Sequence, residues 1–555
     1  MTTNIINVTC DDKTYQIPLG TTLLELQEFL PSQTPLPIAA IVNSELQELT
    51  YPLYVDSKVR WLNYTNYYGS LIYKRSINFL LYMVTQDLYP NYKLSIMHSL
   101  DKGIYCEIIG EPALGEKDFA AIEKKMRYLV EEDWPFEKKQ ISKDDAVAFY
   151  QSQGKPHKAC LMRQRNSNHC TFYTCKGHSE YFFGPMVPAT GYLGNFRIIP
   201  FDKGFVLRLP SKNDVGFQAG EFLEPRRLQA ILKERANWLT LMGIETLSDL
   251  NQWVKEGRLK ELILIAESAQ QKHLSQIAES IAADYPKAKL VLMAGPSSSG
   301  KTTFTQRLAI EFMSLGLKPL AISMDNYFLN QADTPKDENG ERDFESIYAM
   351  DLSLFNEHLQ KLLAGEEVDL PKYDFMHGKR SSITTPCKMQ EGNILLIEGI
   401  HGINPLLTES IPAANKRKIY ISCLAQLNID AYNPISSSDN RELRRMARDM
   451  QFRGTSPSAT IARWPSVRKG EEKNIFPYQE NADFYFNTAL IYELPILRPL
   501  IEEELKKIDP NDPGILEARR LLSFLQYFVP AKADYIPLDS ILREFLGGGC
   551  FNVNQ

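Results

Sequence analysis

Three features of the 555-residue sequence predict an α/β chain whose C-terminal half is a parallel sheet covered by helices, preceded by a small β-grasp module and an α+β unit. The first is a series of short apolar runs at 290–294, 319–323, 394–397 and 418–423, separated by stretches of helical spacing. Strands buried on both faces read as such unbroken runs. The second is a glycine-rich string between the first run and a helical pattern at Phe304, Leu308, Ile310 and Phe312. The third is composition: 44% hydrophobic and 23% charged residues, with no apolar stretch long enough to span a bilayer, is ordinary for a globular chain.

In order along the chain, residues 1–65 carry two β runs, a helix and two further β runs. Thr22 and Glu25 have the spacing of a capping box, and Leu23, Leu24, Leu26 and Leu30 give that helix an apolar side. The order ββαββ suits a β-grasp module. Residues 66–225 mix helical patterns (77–88, 119–132, 143–151) with β-rich stretches (172–181, 196–209), which predicts an α+β domain. Residues 226–285 are helical in propensity, with Leu228, Ile231, Leu232 and Trp238 at helical spacing, and read as a connector. Residues 286–555 form the α/β unit.

Sixty-two Lys plus Arg against 68 Asp plus Glu leave a net charge of −6, which excludes a general polyanion or membrane-surface binder. An anionic ligand must be held by a local site. The N-terminus shows no basic stretch followed by an apolar core, so the cytoplasm is the expected compartment and the eight cysteines are expected as thiols. His157, Cys160, His169, Cys170, Cys175 and His178 fall within 22 residues, but zinc sites show tight paired spacings and these are irregular. Buried thiols in a β-rich segment are the preferred reading.

The sharpest signal is Gly295-Pro296-Ser297-Ser298-Ser299-Gly300-Lys301-Thr302-Thr303, which contains a full GxxxxGK[ST] match. Placed between a strand and a helix, its glycines let backbone amides turn inward around phosphate oxygens, and the helix start adds its positive dipole end. Lys301 would reach the β and γ phosphates of ATP, and Thr302 offers a hydroxyl to Mg2+. The next strand ends at Asp325, where ligands of doubly wound sheets bind. A carboxylate there orients an acceptor hydroxyl and takes its proton; the alternative is that it caps a turn. A third strand ends in Glu398, placed to hold the water shell of the metal or to stand as a solvated strand end. Arg441, Arg444, Arg445, Arg448 and Arg453 crowd one helical segment, either as a lid that presents guanidinium groups to phosphate or as a solvated face.

With these residues in place, the C-terminal half resembles the uridine kinase and phosphoribulokinase family of P-loop kinases. The likeness rests on the phosphate loop, the Asp-x-aromatic-aromatic at 325–328, PKYDF at 371–375 with Arg380, IEGI at 397–400 and RRMARD at 444–449. It implies transfer of the ATP γ-phosphate to a primary hydroxyl, the ribose 5'-hydroxyl in nucleoside members. By position, Asp325 resembles the catalytic base, and Phe328, Tyr373 and Phe375 resemble aromatic walls of an acceptor pocket that His377 and Arg380 border. Arg445, Arg448 and Arg453 resemble the phosphate-contacting lid. Two departures bear on the substrate. Glu345 stands where the family has a ribose-holding aspartate, and the pyrimidine-reading histidine falls on Gly378, with His377 one position early.

Residues 1–225 resemble the front of threonyl-tRNA synthetase, a TGS module followed by its editing domain, through the strings at 88–108 and 184–191. The metal-type editing residues of that family fall on Arg75, Phe79, Phe182 and Met186, so no tRNA editing is expected. This front carries 23 basic and 25 acidic residues, a net of −2, which gives RNA binding no support from charge. RNA docking, small-molecule sensing and dimer formation stay open for it. The expectation is an ATP- and Mg2+-dependent nucleoside kinase acting on uridine or cytidine. A kinase of another hydroxylated metabolite, such as a sugar phosphate, and a nucleotide-dependent RNA-binding regulator are the alternatives.

Overall fold

The structure is a computed structural model that describes residues 5–10, 12–30, 35–210, 222–336, 340, 342–374, 377–425 and 427–551. The front of the chain is a β-grasp unit: β1 (Ile5–Cys10), β2 (Lys13–Pro18), α1 (Leu23–Glu28), β3 (Ala39–Val42), β4 (Glu45–Glu48) and β5 (Ser57–Leu62). The sheet order is β2-β1-β5-β3-β4, with β1 and β5 parallel at its centre. The capping box is present: Glu25 N–H donates to Thr22 Oγ1, and Thr22 N–H donates to Glu25 Oε2. The sequence pattern missed β4, whose alternation is broken by exposed polar residues because it is a sheet edge.

The α+β unit runs α2 (Tyr67–Leu88), β6 (Lys93–Leu100), β7 (Gly103–Ile109), α3 (Glu116–Glu131), β8 (Glu137–Ser142), α4 (Lys143–Ser152), α5 (Pro156–Gln164), β9 (His169–Cys175), β10 (His178–Tyr181), β11 (Arg197–Phe201) and β12 (Gly204–Arg208). It holds two antiparallel sheets, β11-β12-β7-β6 and β10-β9-β8. Three helices follow, α6 (Arg226–Leu241), α7 (Leu247–Lys255) and α8 (Leu259–Ala283). Of these, α8 lies on the C-terminal sheet. Leu274, Ile277, Ala278 and Ile281 share one core with Phe304, Leu308 and Phe312, and Arg307 reaches back to Gln270 and Gln271.

The C-terminal unit contains β13 (Leu290–Ala294), α9 (Lys301–Ser314), β14 (Lys318–Ser323), α10 (Leu352–Leu363), β15 (Glu367–Leu370), β16 (Tyr373–Asp374), β17 (Lys379–Arg380), β18 (Thr385–Lys388), β19 (Asn393–Glu398) and β20 (Lys416–Ser422). Then come β21 (Asn428–Asp430), β22 (Asn433–Pro434), α11 (Ser437–Arg453), α12 (Pro457–Asn474), β23 (Phe484–Asn487), α13 (Glu493–Leu505), α14 (Ile515–Leu525) and α15 (Arg543–Leu546). Five strands form an all-parallel sheet in the order β14-β19-β13-β20-β23. The chain leaves the central strand β13 to one side and later returns on the other, so the crevice at the carboxyl end of β13 is a topological switch point, where such sheets bind ligands.

The hairpin β21–β22 leaves the C-terminal unit and enters the front half. Ile96 N–H donates to Ala431 O at 2.8 Å and Asn428 Nδ2 donates to Ile96 O at 2.9 Å. Tyr432 is buried in the front core, with its ring centroid 4.8 Å from that of Tyr82. The hairpin runs directly into α11, so the arginine-bearing helix starts where the two halves interlock.

Among the described residues no helix is long and apolar enough to cross a membrane.

Candidate active site

The phosphate loop leaves β13, all of whose residues are buried, and ends in α9. A Cβ at Gly295 would lie 1.9 Å from the Ile421 carbonyl oxygen, so only glycine lets the loop pass this close to β20. Ser298 (φ 58°) and Gly300 (φ 83°) are left-handed, the backbone bend that turns successive N–H groups to one side. The hydroxyls of Ser298 and Ser299 are buried, with no hydrogen-bond partner among the described residues. Buried hydroxyls of this kind fit an anion with several acceptor oxygens. Lys301 Nζ donates to Gly295 O at 2.8 Å and Pro296 O at 3.1 Å. Desolvation lowers its pKa, opposed by the charges of Glu398, Glu544 and Asp325.

Strand register gathers the carboxylates. Met293 pairs with Glu398 and Ser323 pairs with Glu398, so β13, β14 and β19 end level and present Asp325 and Glu398 at the edge that holds the loop. Asp325 sits in the turn after β14 and is exposed. The surrounding protein raises its pKa, and Lys301 pulls it back. Glu398 is pushed up to about 7 by burial, again opposed by Lys301. It accepts from Thr305 Oγ1 at 3.0 Å, which orients it one helical turn from Thr302 on α9. Thr302 and Glu398 are the residues that would hold a divalent ion.

Ser297 is held on every polar atom. Its N–H donates to Glu471 Oε1 at 3.0 Å, its carbonyl accepts from Arg441 Nη1 at 3.1 Å, and its Oγ accepts from Arg445 Nη1 at 2.8 Å. Arg441 and Glu471 are themselves a buried bidentate ion pair. Arg444 is likewise buried, against Glu493 (Nε to Oε2, 2.8 Å) and Thr488. The five arginines therefore separate into two roles. Arg441 and Arg444 brace the fold, whereas Arg445, Arg448 and Arg453 converge on Asp449 at 3.2–3.3 Å.

Around the acceptor side, the rings of Phe328 and Tyr373 lie 5.8 Å apart. Arg380 donates to Phe328 O (3.2 Å), Tyr327 O (3.1 Å) and Asp351 (3.1 Å), which braces that wall. His377 is exposed, its Nδ1 2.6 Å from Asp374 Oδ2. Gly378 is left-handed (φ 61°), and a Cβ there would lie 2.8 Å from Gln331 Oε1. Glu345 packs against Gly470 and is pushed up to about 7 by burial and by Glu471, with Lys301 and Arg445 opposing. It thus lies at the phosphate side of the cleft. Phe375 lies outside the described residues.

In the front half, the positions aligned with editing residues do converge, but on bulk. Phe79, Phe182 and Met186 are buried, the two rings 5.5 Å apart, and Arg75 donates to Pro185 O. The Cys/His group is dispersed: His157 pairs with Asp249, His178 with Asp87, and Cys170 and Cys175 are buried. Among the described residues no cluster of three or more His, Cys, Asp or Glu could hold a metal ion.

Two stretches of the chain are similar to known proteins. Residues 290–491 match the phosphoribulokinase / uridine kinase family. That segment contains the loop, both carboxylates and the arginine helix, and its parallel sheet is the fold of a P-loop kinase. The front half is similar to threonine–tRNA ligases, 30% identical over 191 residues to that of Parabacteroides distasonis and 31% over 163 residues to that of Cytophaga hutchinsonii. These matches cover 34% and 29% of this chain and only 29% and 25% of the ligases, so the chain spans less than a third of their length. Solved structures similar to the chain include one described as a possible uridine kinase from Bacillus stearothermophilus, at 18% identity and TM-score 0.27 over 39% of this chain and 98% of that one. Another is D-glycerate 3-kinase from Cryptococcus neoformans, at 15% identity and TM-score 0.21 over 49% of this chain and 90% of that one.

Sequence reasoning missed Glu471, Glu544 and Thr488. They touch the loop from 174, 241 and 189 residues away, and no local motif marks them.

Proposed function

We propose that the C-terminal half transfers the γ-phosphate of ATP to a hydroxyl of a small molecule, with the 5'-hydroxyl of uridine or cytidine as the first acceptor to test. The observation that carries this is the level ending of β13, β14 and β19, which sets the phosphate loop, Asp325 and Glu398 on one edge. In this reading Asp325 accepts the acceptor's hydroxyl proton as oxygen attacks phosphorus. Its raised pKa strengthens it as a base. Lys301, Arg445 and Arg448 offset the negative charge on the transferring group, and the inward amides of the loop hold the phosphates. A divalent ion bound between Thr302 and Glu398 would neutralise phosphate charge. Catalysis is then mostly positioning and charge stabilisation, since phosphoryl transfer asks little covalent chemistry of the protein.

A panel of nucleosides and sugars, read by ADP release on the full chain, tests the proposal. ADP release stimulated by a nucleoside is expected, with Asp325→Asn lowering turnover roughly a hundredfold at nearly unchanged ATP affinity. Silence with every nucleoside and a response to a sugar phosphate would move the assignment to the second reading. Left-handed Gly378 favours that reading, because it removes a base-reading side chain. Near-normal turnover in Asp325→Asn would take that residue out of the mechanism.

A further inference from the structure

The C-terminal segment beyond the family match turns back onto the phosphate loop. At its end Glu544, on α15, accepts from the Thr303 main-chain N–H at 3.1 Å and from the Thr303 hydroxyl at 2.9 Å. Thr303 lies in the first turn of α9, where main-chain N–H groups have no partner inside the helix and favour an anion. These are also donors of the kind by which a phosphate loop and its helix hold a nucleotide. The carboxylate therefore sits on donors a phosphate oxygen would take.

The placement is built into the fold. Ile541, Leu542 and Phe545 are fully buried, and a Cβ on Gly300 would lie 2.5 Å from Ile541 Cγ2. The Arg444 guanidinium lies 5.0 Å over the Phe545 ring, and Gly547 packs against Gln451 and Phe452 at the end of α11. The backbone of α15 is thus pinned between the phosphate loop and the arginine helix, and the Glu544 carboxylate is the part of it that meets Thr303. Meanwhile Ser298 and Ser299, farther back in the loop, keep unpartnered hydroxyls. The segment covers the α9 end of the phosphate cradle and does not reach those two hydroxyls.

We propose that Glu544 is a built-in competitor for the donor nucleotide: its carboxylate stands in for phosphate at Thr303, and ATP binds by displacing it. The inference rests on the kinase reading above. Charge adds to the competition, because the carboxylate would otherwise face an incoming polyanion at close range. Donor affinity is thereby set low until Glu544 swings away.

The test is calorimetric binding of ATP, ADP and adenosine to the full chain and to its Glu544→Gln and Glu544→Ala variants, with thermal melting of each to confirm folding. The bonds to Thr303 involve a charged acceptor, so both variants are expected to bind ATP and ADP about tenfold more tightly. Adenosine, which has no phosphate, should show no change. Glu544→Ala should also melt lower without nucleotide and gain more than the wild type when ATP is added, because phosphate restores the lost partner of Thr303. Equal or weaker ATP binding by both folded variants would overturn the proposal and leave Glu544 as a helix cap only. If wild type and variants alike bind no ATP, the kinase reading fails and this inference with it.

Discussion

Glu471→Ala tests how the phosphate loop is held. The side chain is 1% exposed and its partner Arg441 3%, and the pair grips both the N–H and the carbonyl of Ser297. Removing one member of a buried pair leaves the other charge without compensation, at a cost of about 3–5 kcal/mol. Arg468, which also donates to Glu471 at 2.9 Å, reaches solvent and absorbs none of that cost. Replacing both members, Arg441→Met with Glu471→Leu, removes the stranded charge and should recover most of the stability. Trp464 is buried, with its ring 5.5 Å from the Arg441 guanidinium, so urea unfolding followed by tryptophan fluorescence samples this region. With Arg441→Met and Glu471→Leu also measured singly, the double-mutant cycle should give a coupling above about 2 kcal/mol. ATP affinity should fall in Glu471→Ala and stay low in the double variant, because neither restores the acceptor for Ser297 N–H. A coupling near zero, or undiminished ATP binding in both, would refute the claim that this pair presets the loop.

Two further outcomes follow from the same geometry. Glu398 and Glu345 are both pushed up to about 7 by burial, from ordinary values near 4.5. The native state then holds more protons than the unfolded chain between those values, so stability falls as pH rises through that window and levels off above it. Melting temperatures at pH 5 and pH 8 should differ less in Glu398→Gln than in wild type; an unchanged difference would deny the shift. Tyr432→Ala should destabilise the junction of the two halves by about 3–5 kcal/mol through loss of a buried ring. Since that hairpin leads into α11, ATP turnover should fall as well; an intact melt and intact turnover would show that the halves do not communicate there.

Local chemistry makes part of this protein legible in one dimension. The loop from Gly295 to Thr303, the apolar strands around it and the carboxylates at the strand ends are contiguous signals, because a strand, a glycine turn and a helix start each depend on residues a few positions apart. The β-grasp front and its capping box are readable for the same reason. Edge strand β4 is not, because exposed polar residues break its alternation, and neither is the hairpin β21–β22, which docks on a strand more than 300 residues away.

Roles were decided in three dimensions. Arg380 resembles a substrate contact in the string, and its hydrogen bonds to Tyr327, Phe328 and Asp351 are visible only in the fold. The arginines of α11 look alike in sequence, and only Glu471 and Glu493 single out two of them as structural. Glu544 carries no motif at all, yet it reaches the loop across 241 residues. The sequence by itself determines where a loop suited to grip phosphate can form, because such a grip is made by consecutive main-chain amides. Which carboxylates and guanidinium groups face the grip depends on distant segments meeting, and only the folded chain specifies that.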